Sequence, residues 1–160
     1  MARIVVGVDG SEGSQRALAW AVDEARLRGA SLEVIYTYET YERHLAWQGD
    51  GEYGTMSAGA TEAMREAMES AALEAAVRAQ GLVDRMVDGL SGLEVEGRII
   101  ESSRPAETLV EHSKDADLLV VGSRGRGGFK SLMLGSVSQQ CAQHAECPVV
   151  IIRSTSEQQA

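Results

Sequence analysis

Short runs rich in valine, isoleucine and leucine alternate along this chain with longer stretches in which apolar residues recur every three or four positions. Runs that are apolar at successive positions are typical of strands covered on both faces, as in a parallel sheet. Five such strands are predicted, over residues 4–8, 32–36, 93–101, 118–121 and 149–153.

The stretches between the strands have the period of amphipathic helices. Ser11 and Ser14 are both candidate caps for the first helix, and Gly29 is its predicted end. Gly81 offers a place for a bend in the long second helix. The remaining three helices are predicted over residues 60–88, over 105–114, and from 132 or 136 to 144.

Alternating strands and helices predict one α/β domain, a five-stranded parallel sheet with helices on both faces. The domain is predicted to span residues 1–153, and residues 154–160 form a polar tail. Residues 39–58 have no clear period and are rich in Tyr, Glu and Gly. A loop of that length in a small domain is typical of a lid or a binding surface, although packing on the protein or on a second subunit is the more common role for its aromatic residues.

The charge of the chain restricts its partners. A net charge of −9 over 160 residues disfavours general nucleic-acid or membrane-surface binding. Residues 118–145 hold no carboxylate and carry +3 from Arg124, Arg126 and Lys130, so that the remainder carries −12. Charged residues such as Arg126 and Lys130 more often lie solvated in a loop than in contact with a phosphate. Together, however, the three cations form a local basic region that suits a small polyanion.

Two further features bear on the compartment. Cys141 and Cys147 lack C-x-x-C spacing, which favours reduced thiols. A strand follows Met1 almost at once, without the pattern of a signal peptide, and no apolar run approaches the length of a membrane span. We therefore expect a cytoplasmic protein.

Two glycine-containing segments carry the clearest chemistry. Gly122-Ser-Arg-Gly125 follows the fourth strand, and nine residues later Gly135-Ser136-Val137-Ser138 stands where a helix can begin. Glycine allows the backbone to approach a ligand closely, and a helix N-terminus offers unpaired N–H groups with partial positive charge. We call residues 122–125 and 135–138 the glycine cradle, and the pattern predicts that it binds phosphate groups. If the first and fourth strands are neighbours, Asp9 lies in the same crevice.

Several other kinds of site are not supported. The P-loop pattern is absent around Lys130, and no G-x-G-x-x-G follows the first strand. No G-x-S-x-G motif is present, which disfavours a serine hydrolase of that type. His44, His112 and His144 lack the spacing of metal ligands, so no metal site and no catalytic residue is predicted.

The chain resembles the universal stress protein family over essentially its full length. The resemblance rests on four segments: Val6-Gly-Val-Asp9-Gly-Ser11, Ala116-Asp-Leu-Leu-Val-Val-Gly-Ser-Arg-Gly125, Leu134-Gly-Ser-Val-Ser138 and Cys147-Pro-Val-Val150. The ATP-binding branch of the family has the signature Gly, two residues, Gly, nine residues, Gly and Ser or Thr. Here Gly122, Gly125 and Gly135-Ser136 match that signature.

The resemblance implies a Rossmann-like fold of the adenine nucleotide alpha-hydrolase type and a role for each matched residue. Asp9 lies near the ribose, and the backbone near Ile35 and Tyr36 meets the adenine. Val121 and Gly122 border the ribose and phosphates. The phosphate chain is held by Arg124, Gly125, Gly135, Ser136, Val137 and Ser138.

The function that the resemblance implies is that of an ATP-binding regulator in the stress response. Such proteins bind ATP with or without Mg²⁺, form homodimers through the last strand and act on a regulatory protein partner. The residues leave two alternatives open, a slow ATPase or phosphotransferase and an interaction module with a relic site. Asp9 is the only carboxylate expected near the phosphates, and its expected place is the ribose side.

Overall fold

The computed structural model describes residues 2–40, 58–125 and 134–153. Nine elements follow one another in these ranges, and their order is β1 (Arg3–Val8), α1 (Glu12–Arg28), β2 (Ser31–Tyr38), α2 (Ala58–Val87), β3 (Val95–Glu101), α3 (Pro105–His112), β4 (Leu118–Gly122), α4 (Ser136–His144) and β5 (Val149–Ile152). Residues 41–57, which hold most of the predicted loop, and the predicted tail 154–160 lie outside the described residues.

The five strands form one parallel sheet in the order β3-β2-β1-β4-β5. Val6 of β1 is level with Val34 of β2 on one side and with Val120 of β4 on the other. The chain therefore builds outward from β1 to β3 and then returns to the opposite side of β1. The predicted fold class is confirmed, and β1 and β4 are neighbours.

Each face of the sheet has its own core because successive side chains in a strand point to opposite faces. Ile4, Val6 and Val8 of β1 belong to the cluster that packs on α1, together with Met86 and Val87 of α2. Strand residues of the opposite parity, such as Val5 and Leu119, form a second cluster with Leu109 of α3 and Cys141 of α4.

The ends of the helices follow local chemistry. Ser11 caps α1, since its hydroxyl accepts a hydrogen bond from the Ser14 backbone N–H at 3.2 Å. Gly29 ends α1 with a φ of 62°, in the left-handed region that glycine adopts readily. Helix α2 continues past Gly81 to Val87.

Several predicted boundaries differ from the structure by one or two residues, and two of them show the local features involved. β3 begins at Val95 rather than residue 93, and the positive φ of Gly92 (76°) marks a turn that delays it. α3 ends at His112 rather than residue 114, and Ser113 caps it, with its backbone N–H donating to the carbonyls of Leu109 and Val110. In the described ranges, no helix is both long and apolar enough to cross a membrane.

Candidate functional site

A cavity of about 750 Å³ opens at the carboxyl edge of the sheet beside β1 and β4, where the order of the parallel strands switches from one side of β1 to the other. Ligands of open α/β sheets bind at this kind of position. All nine site residues predicted from the sequence line the cavity, and they are Asp9, Val121, Gly122, Arg124, Gly125, Gly135, Ser136, Val137 and Ser138. The structure thus brings together residues that are more than a hundred positions apart in the chain.

Close backbone approach around β4 depends on glycine. A Cβ placed on Gly125 would lie 2.5 Å from Oδ2 of Asp9, and one on Gly122 would lie 3.0 Å from the backbone of Gly13. A Cβ on Gly13 would in turn lie 2.9 Å from the carbonyl oxygen of Arg124. The loop after β4 and the start of α1 are therefore in contact only because side chains are absent at these points. Gly13 was not singled out from the sequence, although it stands only four residues after Asp9.

Asp9 is held in place by the turn that follows β1. Its Oδ1 accepts a hydrogen bond from the backbone N–H of Ser11 at 2.9 Å, and Gly10 between them has a φ of 79°. Its Oδ2 faces the position that a Cβ on Gly125 would occupy. The carboxylate is thus fixed at the edge of the cavity beside the glycine cradle.

The N-terminus of α4 supplies donors to the cavity. Gly135 occupies the N-cap position with an extended backbone, and no side chain caps the helix there. The first N–H groups of an α-helix have no partner within the helix, and the helix end carries partial positive charge. Ser136 and Val137, which begin α4, line the cavity. This end of the cavity therefore favours an anionic group.

Ser138 has a structural role that the sequence did not predict. Its side chain is buried, and its hydroxyl shares one proton between two acceptors, the carbonyl oxygen of Ser123 at 3.0 Å and that of Gly135 at 2.9 Å. The Gly135 N–H also donates to the Ser123 carbonyl, at 2.7 Å. The hydroxyl expected to meet phosphate or Mg²⁺ is thus directed to backbone carbonyls, and it ties the two halves of the glycine cradle together.

Charge is distributed unevenly within the cavity. Arg124 lies at the end of β4, whereas the carboxylates of Asp9 and Glu39 follow β1 and β2. Arg126 and Lys130, the other two cations of the basic region, lie outside the described residues. Among the described residues, no group of three or more His, Cys, Asp or Glu side chains is placed to hold a metal ion.

The end of the cavity beneath β2 and β3 is more apolar. Buried Ile35 and Leu109 line it together with Pro105 at the start of α3. α3 can approach the sheet because residue 7 is glycine, where a Cβ would lie 2.6 Å from Cδ1 of Leu109. These three side chains offer an apolar surface to a ligand.

Sequence reasoning placed Ile35 and Tyr36 in this region but missed the polar residues around them. Thr37, Glu39, Ser102 and Ser103 also line the cavity. All four stand at or just beyond the carboxyl ends of β2, which adjoins β1 in the sheet, and of β3, which adjoins β2. A predicted strand order was the signal needed to find them, since no motif marks these positions.

Comparison with known proteins identifies the family to which the chain belongs. The family model described as the universal stress protein family matches residues 1–153. A universal stress protein of Mycolicibacterium smegmatis is 37% identical over 150 residues, which are 94% of this chain and 45% of that protein. One from Thermus aquaticus is 34% identical over 94% of this chain and 97% of its own length. The chain thus spans about half the length of the mycobacterial relative and nearly all of the Thermus one.

Solved structures share the fold. A universal stress protein from Archaeoglobus fulgidus, solved in complex with dAMP, superposes with a TM-score of 0.59. It is 23% identical in sequence, and the match covers 95% of this chain and 98% of that one.

Proposed function

Since the chain belongs to the universal stress protein family, we propose that it is an ATP-binding regulator whose nucleotide occupies the cavity at the carboxyl edge of the sheet. One observation carries this proposal: all nine site residues predicted from the sequence line a single cavity. We further propose that the protein acts in the cytoplasm, in the response to stress, on a regulatory protein partner.

The glycine cradle would hold the phosphate chain. The uncapped N-terminus of α4 supplies backbone N–H groups, and Arg124 supplies a guanidinium that pairs well with phosphate oxygens. The Ser136 hydroxyl remains available for phosphate or for Mg²⁺ bound with it. Residues with side chains could not replace these glycines without a shift of the backbone or of Asp9, because a Cβ on Gly122 or Gly125 meets neighbouring atoms at 3.0 Å or less.

The nucleoside would lie toward β1 and β2. Asp9 follows β1, where its carboxylate can accept hydrogen bonds from ribose hydroxyls. Ile35, Pro105 and Leu109 offer an apolar surface for the base. The dAMP complex of the Archaeoglobus protein supports an adenine nucleotide as the ligand class. The choice of a triphosphate rests on the match of Gly122, Gly125 and Gly135-Ser136 to the signature of the ATP-binding branch.

Regulation would follow from binding-linked order. A ligand shifts a conformational equilibrium only by as much as its affinity differs between the two states. The triphosphate would contact both halves of the glycine cradle at once, and so favour the arrangement in which Ser138 and Gly135 bond to Ser123. The surface beside the cavity would then differ between the occupied and empty protein.

A homodimer through β5 completes the proposal. β5 is an edge strand that pairs with β4 on one side, and all four of its residues are partly exposed. An edge strand with a free side can pair with the same strand of a second copy across a two-fold axis.

A slow ATPase is the second candidate. The Asp9 carboxylate at the cavity edge is what favours it, because a carboxylate near the phosphates can orient a water molecule. The position of Asp9 after β1, next to the ribose side, argues for the binding role instead.

Calorimetric titration with ATP and a phosphate-release assay with Mg²⁺ separate the two candidates. The proposal predicts saturable binding near one nucleotide per chain with negligible turnover. Steady phosphate release that Gly125→Ala abolishes would favour the ATPase, whereas absence of binding by any adenine nucleotide would exclude both.

A further inference from the structure

The first turn of α1 lies against the segment that follows β4. A Cβ on Gly122 would lie 3.0 Å from the carbonyl carbon and oxygen of Gly13, and a Cβ on Gly13 would lie 2.9 Å from the carbonyl oxygen of Arg124. The backbone of Gly13 is therefore close to this segment at two points. Gly13 itself is not among the described residues that line the cavity, whereas Gly122 and Arg124 both line it.

The atom that limits the space at position 13 belongs to the backbone. A separation of 2.9 Å is well inside the roughly 3.5–4.0 Å at which non-bonded heavy atoms pack best. A neighbouring side chain could rotate away from a new Cβ, but the Arg124 carbonyl can move only if the backbone of its segment moves with it. Any side chain at position 13 therefore displaces the segment after β4 or the first turn of α1.

Helix formation gives no reason for a glycine at this position. Gly13 stands in the first turn of α1, after the Ser11 cap. Glycine is among the poorest helix-forming residues, and alanine is the best. Gly13 is also not among the described glycines with a positive φ, so its backbone conformation would suit alanine equally well. The close approach of Arg124 is the feature that a side chain here would disturb.

The segment that Gly13 contacts also carries the link to α4. The carbonyl of Ser123 accepts hydrogen bonds from the Gly135 N–H at 2.7 Å and from the Ser138 hydroxyl at 3.0 Å. Because Ser123 immediately precedes Arg124, a shift of the Arg124 carbonyl disturbs these two bonds. The first turn of α1 and the two halves of the glycine cradle thus form one connected set of contacts.

We propose that Gly13 is a positioning residue of the nucleotide site, which sets the place of residues 122–125 from outside the cavity lining. The groups of a binding site have to be held within about 0.5 Å of their productive positions, so a displaced segment binds phosphate less well. The inference rests on the proposed nucleotide site and extends it to the first turn of α1.

Gly13→Ala tests this role, and Gly97→Ala is the matched control. Gly97 lies in β3, where a Cβ would overlap Cγ1 of the buried Val83 in α2. Both variants add one methyl group where the chain has little room, and neither residue is among the described ones that line the cavity. The control therefore reproduces a loss of packing without a displaced cradle.

Two quantities are measured on the full chain. Calorimetry gives the dissociation constant for ATP. Amide hydrogen exchange, followed without nucleotide, gives the rate at Gly135 relative to the core amides of β1. Because a loss of overall stability speeds exchange at both places, the ratio of the two rates reports on the cradle.

We expect Gly13→Ala to weaken ATP binding on the order of tenfold and to speed the relative exchange of Gly135 by a similar factor. Gly97→Ala should have a lower melting temperature but wild-type values of both quantities. Wild-type ATP affinity or unchanged Gly135 exchange in Gly13→Ala would overturn the inference, and so would equal effects in the two variants. A lower melting temperature for Gly13→Ala than for Gly97→Ala would also overturn it, because Gly13 would then act mainly on stability.

Failure of this inference and failure of the proposed function give different results. If the wild-type protein binds ATP and Gly13→Ala binds it equally well, the nucleotide site stands and only the positioning role is wrong. If the wild-type protein binds no ATP, the proposed function is wrong, and the positioning role is wrong with it.

Discussion

Charged side chains are arranged differently at the amino and carboxyl edges of the sheet. At the amino edge, the Glu33 side chain is 6% exposed and its carboxylate lies 2.5 Å from Arg3 and 3.2 Å from Arg98. Arg3 also donates to the carbonyl of His112 at the end of α3. At the carboxyl edge, Arg124 and Glu39 face a cavity of about 750 Å³. The charges at the amino edge bond to one another and hold the fold together, while Arg124 and Glu39 at the carboxyl edge line the cavity.

The same strands supply both edges, so the difference arises from how the helices pack. α3 runs back across the sheet, so that Pro105 lines the cavity at one end while the carbonyl of His112 meets Arg3 at the other. At the amino edge, side chains from β1, β2 and β3 bond to one another, whereas at the carboxyl edge glycines let the loop after β4 lie against the start of α1 beside the cavity. Substitutions at the two edges should accordingly affect different properties.

Glu33→Ala should give the largest effect, a loss of about 3 kcal/mol in the free energy of unfolding. Removing one partner of a buried ion pair leaves the remaining charges without compensation. Arg3 and Arg98 are themselves partly exposed, which keeps the loss at the lower end of the usual range. Urea denaturation measures the change, and calorimetry should find ATP affinity unaltered.

Glu96→Ala is the control for that experiment. Glu96 pairs with the same Arg98 but is 62% exposed, so its removal should cost less than about 1 kcal/mol. Equal losses in the two variants, or a matching loss of ATP affinity in Glu33→Ala, would contradict the separation of the two edges.

The second largest effect is a loss of stability at high pH that arises from the buried thiol of Cys141 in α4. Burial, with a smaller contribution from Cys147, raises the pKa of the Cys141 thiol from its ordinary value of 9.0 to about 11. Below pH 9 the thiol is neutral in both the folded and unfolded states. Between pH 9 and 11 it ionises in the unfolded chain first, so the free energy of unfolding should fall by about 2 kcal/mol across that range.

Comparing the wild-type protein with Cys141→Ala isolates this contribution from other groups that titrate at high pH. The variant should be less stable at pH 7, because it leaves a small cavity, and its stability should fall less steeply above pH 9. Parallel pH profiles for the two proteins would contradict the assignment.

Gly125→Ala should weaken ATP binding at least tenfold, or about 1.4 kcal/mol. The new Cβ would lie 2.5 Å from Oδ2 of Asp9 and would force the cradle and the Asp9 turn apart. The control is Gly81→Ala in α2, where the nearest atom would be 3.5 Å away, in the flexible side chain of Arg85. Calorimetric titration should show wild-type affinity in the control; equal binding by both variants would place the phosphates elsewhere.

Asp9→Ala should have the smallest effect, a loss of up to tenfold in affinity that is the same for AMP, ADP and ATP. The ribose is common to all three nucleotides, so a ribose contact cannot discriminate among them. Competition binding with the three ligands checks this. A loss confined to ATP would instead place Asp9 on the γ-phosphate or on a bound metal ion, and would strengthen the ATPase alternative.

The fold was largely predictable because its signals are local. Runs such as Ile4–Val8 and Leu118–Val121 marked strands, and Ser11 and Gly29 marked the ends of α1. The start of β3 was predicted two residues early, because Leu93 continues the apolar pattern and the left-handed φ of Gly92 before it has no signal that separates it from other glycines.

The candidate site was predictable only where a motif marked it. The glycine cradle has a fixed spacing, and Asp9 follows a strand directly. Thr37 and Glu39 have no such spacing, and their place at the cavity depends on the order of the strands. The inward hydroxyl of Ser138 and the contact of Gly13 with the Arg124 carbonyl are likewise tertiary features, produced when β1 and β4 become neighbours.

The most direct test of the account is to denature freshly purified protein and identify the released small molecules by mass spectrometry. The account predicts an adenine nucleotide, with ATP near one molecule per chain in the wild-type protein and strongly depleted in Gly125→Ala. Protein that releases no nucleotide and also fails to bind added ATP would contradict the central claim that the carboxyl-edge cavity is a nucleotide site.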